Sequence, residues 1–301
     1  MSTHRIKNSY KIYNDHLELI VSPIGASILA LNLKTPTGTV PLMPDATTDS
    51  SPLQASSFLM FPYSNRIKNG RFLSDGRVVQ LLNAQNHAIH GDVRKRPWFC
   101  SRTPNKNDPQ FLELSFDSAD VFDHFNWIGR VVCNTRFELH GKSLTQTFSF
   151  VNYDRMSMLV GGGFHPYFSR HSGPLLSFKA SHVFPTEEDV PLPTGPPVSI
   201  PSSLDYSEPR QLSEPMDHCY TGIDNLVKLT YPKEGYSLTI TSSPNCKHLV
   251  VYNPVDKDYF AIEPVLNCNN AHNLGEKGFE TGLATLGHNE SLHFSFTITV
   301  D

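Results

Sequence analysis

Five side chains in this sequence have the types that move protons or grip a polar molecule, and all lie in short clusters rich in glycine and aromatic residues. His165 sits in GGGFHPYF (161–168), Glu263 in FAIEP (260–264) and Arg66 in FPYSNRIKNGRF (61–72). His90 lies in NHAIHGDVRKRPW (86–98) and Asp217 in MDHCYTG (216–222). A histidine and a glutamate with no metal or nucleophile beside them suit metal-free proton transfer near neutral pH.

Competing chemistries lack their parts. The sequence contains no G-x-S-x-G elbow, no H-E-x-x-H, no G-x-x-x-x-G-K-[ST] and no G-x-G-x-x-G leading into a helix. His87 and His90 are three residues apart, a weak signal for a metal site without a third ligand, so none is expected. Cysteines 100, 133, 219, 246 and 268 are odd in number and never in C-x-x-C spacing, which reads as free, mostly packed thiols.

Taken singly, each candidate also has an ordinary structural reading. Glu263 precedes a proline expected to stop its strand, so it reads as a carboxylate at a sheet end facing water or as one in a cleft with a raised pKa. His165 reads as a hydrogen-bonded core histidine held where Pro166 ends its strand, Arg66 as an ion-pair partner and His90 as a turn residue before Gly91. Arg94, Lys95 and Arg96 read as a solvated charge run, and Asp217 as a surface residue in a polar loop.

The elements that must position these residues are strands. Short apolar runs, several alternating with polar residues as a half-buried sheet requires, recur at 16–22, 27–33, 111–116, 130–139 and 143–151. They continue at 175–180, 227–231, 236–241, 248–252, 259–265 and 291–300. In about 300 residues this predicts an all-β protein of two large sheets packed face to face, without internal repeat, forming a single domain over 1–301. One helix-like stretch, 119–126, is expected to give a turn or two. The segment 184–215, with eight prolines, is expected to be a long ordered surface loop anchored by Leu192, Leu204 and Tyr206.

With 39% hydrophobic and 18% charged residues the chain can bury a large core, and its net charge of -4 with scattered basic residues argues against nucleic-acid or membrane partners. No stretch approaches the roughly 18 apolar residues of a membrane span, and no secretory leader pattern opens the sequence, so a cytoplasmic protein is expected. The expected partner is a small molecule, the protein itself being a monomer or homodimer.

Together the clusters resemble the aldose 1-epimerase (galactose mutarotase) family. The likeness rests on N-R-I-x-x-G-x-F at 65–72, N-H-x-x-H-G at 86–91 followed by Arg96-Pro97-Trp98, and G-x-H-P-Y-F at 163–168. It continues with L-P-T-G at 192–195, Asp217-His218 and Glu263-Pro264, in the family's order. The resemblance implies a large antiparallel β-sandwich that interconverts the α and β anomers of free aldoses without a cofactor. It implies Glu263 as general base on the anomeric hydroxyl and His165 as general acid on the ring oxygen. His90 would stand near the ring oxygen, and Asn65, Arg66 and Asp217 would hold the sugar. Reference pKa values of about 4.3 and 6.5 would give an ionised base and an available acid at mildly acidic to neutral pH. Trp98 and Tyr167 would stack on the ring or pack in the core.

Departures from the family pattern at MLVGGGF (158–164), VLNCNNAHN (265–273) and DVFDHFNW (120–127) leave the sugar open. Two other readings remain: a hexose-6-phosphate 1-epimerase, with Arg94, Lys95 and Arg96 meeting the phosphate, and a non-catalytic sugar-binding or sensing protein.

Overall fold

Residues 131–140 and 143–152 alternate between buried and less buried positions along their whole length, and they form a ten-residue hairpin in which His140 pairs with Ser143 across Gly141 and Lys142. The two-residue connection needs a left-handed residue, and Gly141 supplies it with φ of 53°. The same alternation recurs at Phe111–Asp117 and Ser291–Val300, the neighbours of this hairpin. These strands are half-buried: one face joins the core and the other meets solvent.

The structure, a computed structural model, describes residues 9–74, 76–82, 84–105, 108, 110–121, 125–187 and 190–301. Among them the strands form an 11-stranded and a 9-stranded sheet, with two small two-stranded sheets, and every paired strand is antiparallel. The expected all-β sandwich is therefore found. Phe164 of the larger sheet packs on Phe294 and Phe296 of the other, with ring centroids 5.0 and 4.5 Å apart, and one apolar core draws residues from Ile12 to Val300.

Five central strands of the larger sheet frame the site: β1 (Ser57–Met60), β2 (Gly163–Ser169, with His165), β3 (Met216–Thr221, with Asp217), β4 (His248–Asn253) and β5 (Tyr259–Val265, with Glu263). Their order in space is β1-β2-β5-β4-β3. These strands are covered on both faces, and β5 is buried at six of its seven positions.

Several expectations change here. Pro166 and Pro264 were expected to end their strands, yet both lie inside them. Proline removes a ladder donor without breaking extended backbone, and the pairing of β2 with β5 pauses between Gly163↔Val265 and Tyr167↔Ala261. Asp217 is in β3, not in a loop. The expected helix at 119–126 is only a 3-10 turn at Ser118–Asp120, followed by non-helical Phe125 and Asn126, while 122–124 lie outside the described residues. The proline-rich segment has buried Leu192 and Tyr206 and a partly buried Leu204 as anchors, but it also contributes two-residue strands at Val198–Ser199 and Arg210–Gln211. The five cysteines are free, and all but Cys100 are buried. No helix among the described residues is long and apolar enough to cross a membrane.

Candidate active site

Period-two alternation explains how residues far apart in sequence meet. On a sheet, directly opposed residues share a face, and so do residues two apart on one strand. His165 is paired with Phe58, Asp217 with Tyr252 and Tyr167 with Ala261. The register joining Gly163 to Val265 and Tyr167 to Ala261 sets His165 opposite Glu263, where the two prolines interrupt the ladder. Phe58, His165, Tyr167, Glu263, Tyr252 and Asp217 therefore project from one face, away from the face on which Phe164 meets the second sheet.

Loops deliver the rest. Asn65 and His90 have left-handed backbones, φ 51° and 65°, and the His90 N–H donates to the Asn65 carbonyl at 2.7 Å. Such conformations are uncommon outside glycine and cost on the order of 1–3 kcal/mol each, so surrounding structure must hold them. Gly91 crosses Phe61 so closely that a Cβ would lie 2.1 Å from the Phe61 carbonyl oxygen. The Arg66 carbonyl accepts from the N–H of Asn270, the residue before the short helix α1 (Ala271–Gly275).

The six expected residues, Asn65, Arg66, His90, His165, Asp217 and Glu263, line one cavity of about 200 Å³ together with Ile89, Tyr167 and Tyr252. That volume is below the roughly 300–1,000 Å³ of drug-sized pockets and suits a single small polar ligand. His165 is 4% exposed and Glu263 2%, and His165 Nε2 lies 3.1 Å from Glu263 Oε1. Neither is a sheet-end residue facing water. The His165 ring stacks on Phe58 at 4.5 Å and meets His90 edge-on at 5.1 Å. His165 Nδ1, His90 Nδ1 and Glu263 Oε2 are buried without a hydrogen-bond partner among the described residues. Unpaired buried polar atoms are rare, and three in one cavity mark a site built for a polar guest.

Burial also reverses the expected protonation. Desolvation holds the Glu263 carboxyl well above the usual carboxylate range, reinforced by Asp217 and opposed by Arg66. Desolvation pushes His165 down to about 3 and His90 well below its ordinary value. Asp217 is raised to about 6 by desolvation, with Arg66 opposing. The cleft thus favours a neutral carboxyl beside a neutral imidazole, not the ionised base and charged acid that reference values imply.

Sequence reasoning missed three contributors. Asn267 Oδ1 accepts from the N–H groups of Ser64 at 3.1 Å and Gly162 at 2.9 Å, tying the Arg66 loop to the start of β2 just beyond the end of β5. Tyr252 lines the cleft, and only the strand register could have found it. Arg94 was read as part of a solvated run, but only Lys95 of that triplet is exposed. Arg96 is bound to Asp92, Nε to Oδ2 at 2.8 Å, and the Arg94 guanidinium lies 5.3 Å from the Phe58 ring centroid. Trp98 is a core residue whose indole N–H donates to the Val93 carbonyl, so of the two suggested stacking rings only Tyr167 lines the cleft. No group of three or more metal-ligating side chains occurs among the described residues.

The sequence pattern of the aldose 1-epimerase family matches residues 8–299, and the chain belongs to that family. It is 26% identical over 257 residues to the uncharacterised protein YphB of Escherichia coli K12, covering 82% of this chain and 85% of that one. Its fold matches a galactose mutarotase-like protein from Clostridium acetobutylicum, with TM-score 0.85, 20% identity and coverage of 97% and 94%. It also matches an aldose epimerase homologue from C. elegans, with TM-score 0.82, 18% identity and 98% of each chain covered. At such identities these structures speak to the fold.

Proposed function

We propose that the protein is a cofactor-independent mutarotase that interconverts the α and β anomers of a free aldose. The observation that carries this reading is the His165–Glu263 pair, 3.1 Å apart in a cavity also lined by Arg66, His90 and Asp217.

Opening a cyclic hemiacetal removes the proton from the C1 hydroxyl and delivers one to the ring oxygen, breaking the C1–ring oxygen bond. Both oxygens are attached to C1, so the groups that serve them must be close neighbours, as these two are. Glu263 takes the hydroxyl proton while His165 gives one to the ring oxygen; rotation about C1–C2 presents the other aldehyde face, and both transfers run backwards on reclosure. The reaction begins from carboxylate and imidazolium and leaves carboxyl and neutral imidazole. Those two states differ by one proton hop between the paired atoms, and burial favours the second, the state matching the open-chain sugar. Arg66, His90, Asn65 and Asp217 hold the hydroxyls and the ring oxygen.

A phosphorylated hexose fits less well, because Arg96 is committed to Asp92 and Lys95 is exposed and is not among the residues lining the cavity. The test is anomer exchange on fresh α-glucose and α-galactose, followed by NMR or polarimetry. Glu263→Gln and His165→Ala, shown to be folded by circular dichroism, are expected to lower the rate by about 10²–10⁴-fold each. Wild-type rates in both variants sink the assignment, and sugar binding without exchange above the buffer rate makes the protein a binding module.

A further inference from the structure

The cleft adjoins a larger chamber of about 770 Å³, and His90, Ile89 and Tyr167 line both. Its lining includes Arg94, Gln54, Ser22 and Ser27 but no Asp or Glu. Arg94 Nε is buried without a hydrogen-bond partner among the described residues, and its carboxylate neighbour Asp92 is taken by Arg96. A buried guanidinium N–H left without an acceptor is unfavourable, and the ring face of Phe58 offsets this only in part. It becomes favourable when an anion enters the chamber, and burial that lowers its pKa speaks to the same desolvation.

The orientation of a bound sugar follows from the mutarotase reading, on which this inference rests. With C1 and the ring oxygen at His165 and Glu263, the next atom beyond the ring oxygen is C5. His90 stands edge-on to His165 at 5.1 Å and, with Tyr167, lines both the cleft and the chamber, so a sugar whose ring oxygen meets His165 would have the exocyclic carbon on C5 directed toward Arg94. We propose that the outer chamber is a subsite for a carboxylate at that position, making the substrate class a hexuronic acid or similar acidic aldose. A carboxylate brings one charge and a planar pair of oxygens, which one guanidinium fork matches with two parallel hydrogen bonds. A phosphate ester carries about −1.5 to −2 charges at pH 7, more than the single cation of the chamber neutralises. Gln54 and the two serines can serve the hydroxyl edge.

The test compares kcat/KM for anomer exchange on glucuronate, galacturonate, glucose, galactose and glucose 6-phosphate, with dissociation constants measured in parallel by calorimetry. Wild-type protein is expected to favour the uronates over the neutral sugars by about tenfold or more. Arg94→Gln should lower kcat/KM for uronates at least tenfold more than for neutral sugars, with Arg94→Lys between them. Equal effects of R94Q on both classes, or a preference for glucose 6-phosphate over the uronates, overturn the subsite. If no sugar is exchanged yet uronate binding still falls tenfold in R94Q, the subsite stands and the mutarotase reading falls.

Discussion

His165 and Glu263 face each other at 3.1 Å at the one point where Pro166 and Pro264 interrupt the pairing of their strands. In the proposed reaction one proton passes between them, which would make them one functional unit, and losses from such units do not add. The double variant His165→Ala/Glu263→Gln is expected to exchange anomers no more than about tenfold slower than the more damaged single variant. Fully multiplicative losses, measured by the same NMR assay, would mean that the two groups act independently.

The buried pair also shapes stability against pH. Glu263 has a raised pKa in the folded protein, so its contribution is fully present below the unfolded value near 4.5 and is lost as pH rises through the folded value. Glu263→Gln cannot ionise, and its Tm should exceed that of the wild type at pH 8–9 and converge with it near pH 4. His248 and His272, each depressed to about 4, work in the opposite sense. Their stability is present above 6.5 and lost as pH falls toward 4, on the order of 3 kcal/mol apiece at 1.36 kcal/mol per pKa unit. Scanning calorimetry between pH 4 and 9 reads both limbs; an E263Q curve parallel to the wild type at alkaline pH would show that Glu263 is not held protonated by the fold.

Asp217 gives substrate binding its own pH signature. Its carboxyl is raised to about 6, and on the proposed function its anion would accept hydroxyl hydrogen bonds worth about 1.5–3 kcal/mol each. Below pH 6 it gains a proton and loses acceptor capacity. Wild-type KM should therefore rise as pH falls through about 6, whereas Asp217→Asn should have a KM roughly 10–100-fold higher that is flat from pH 5 to 7. A wild-type KM independent of pH across that range would remove Asp217 from direct sugar contact.

Legibility of the fold in the sequence followed how regularly apolar residues recur along each strand. Strands such as Ser291–Val300 and Ser143–Asn152 were readable because one face meets water and the residues alternate. The covered strands β4 and β5 were readable as nearly continuous apolar runs, whereas β1 is short and β2 and β3 mix Gly, Pro, His or Asp among their apolar residues and were missed or cut short; prolines in β2 and β5 mimicked strand ends. The candidate site was legible as an ordered set of motifs, and all six residues share one cavity. What the motifs could not convey was environment. Arg94 resembles its exposed neighbour Lys95 in the sequence, and Glu263 resembles a strand-end carboxylate until the loops bearing Asn65, Arg66, Ile89 and His90 close around it.

The three consecutive glycines before His165 have separate reasons, and one gives a sharp test. A Cβ on Gly162 would lie 2.7 Å from the Met60 carbonyl oxygen and one on Gly163 2.6 Å from the Val265 side chain, because neighbouring strands crowd both. At Gly161 the obstacle is functional: a Cβ would sit 2.1 Å from Asn267 Oδ1, the atom that accepts from Ser64 and Gly162. Gly161→Ala must displace that amide and leave two buried N–H donors unpaired, at about 1–3 kcal/mol each. Urea denaturation should therefore show a loss of roughly 2–6 kcal/mol. Asn267→Ala should lose a similar amount and raise KM, since the loop bearing Arg66 is then released from the start of β2. Gly195, with open space around its would-be Cβ and no positive φ, is the control: Gly195→Ala should change stability by less than about 1 kcal/mol. Equal stabilities for G161A and G195A would show that Asn267 does not clamp the loop to the strand.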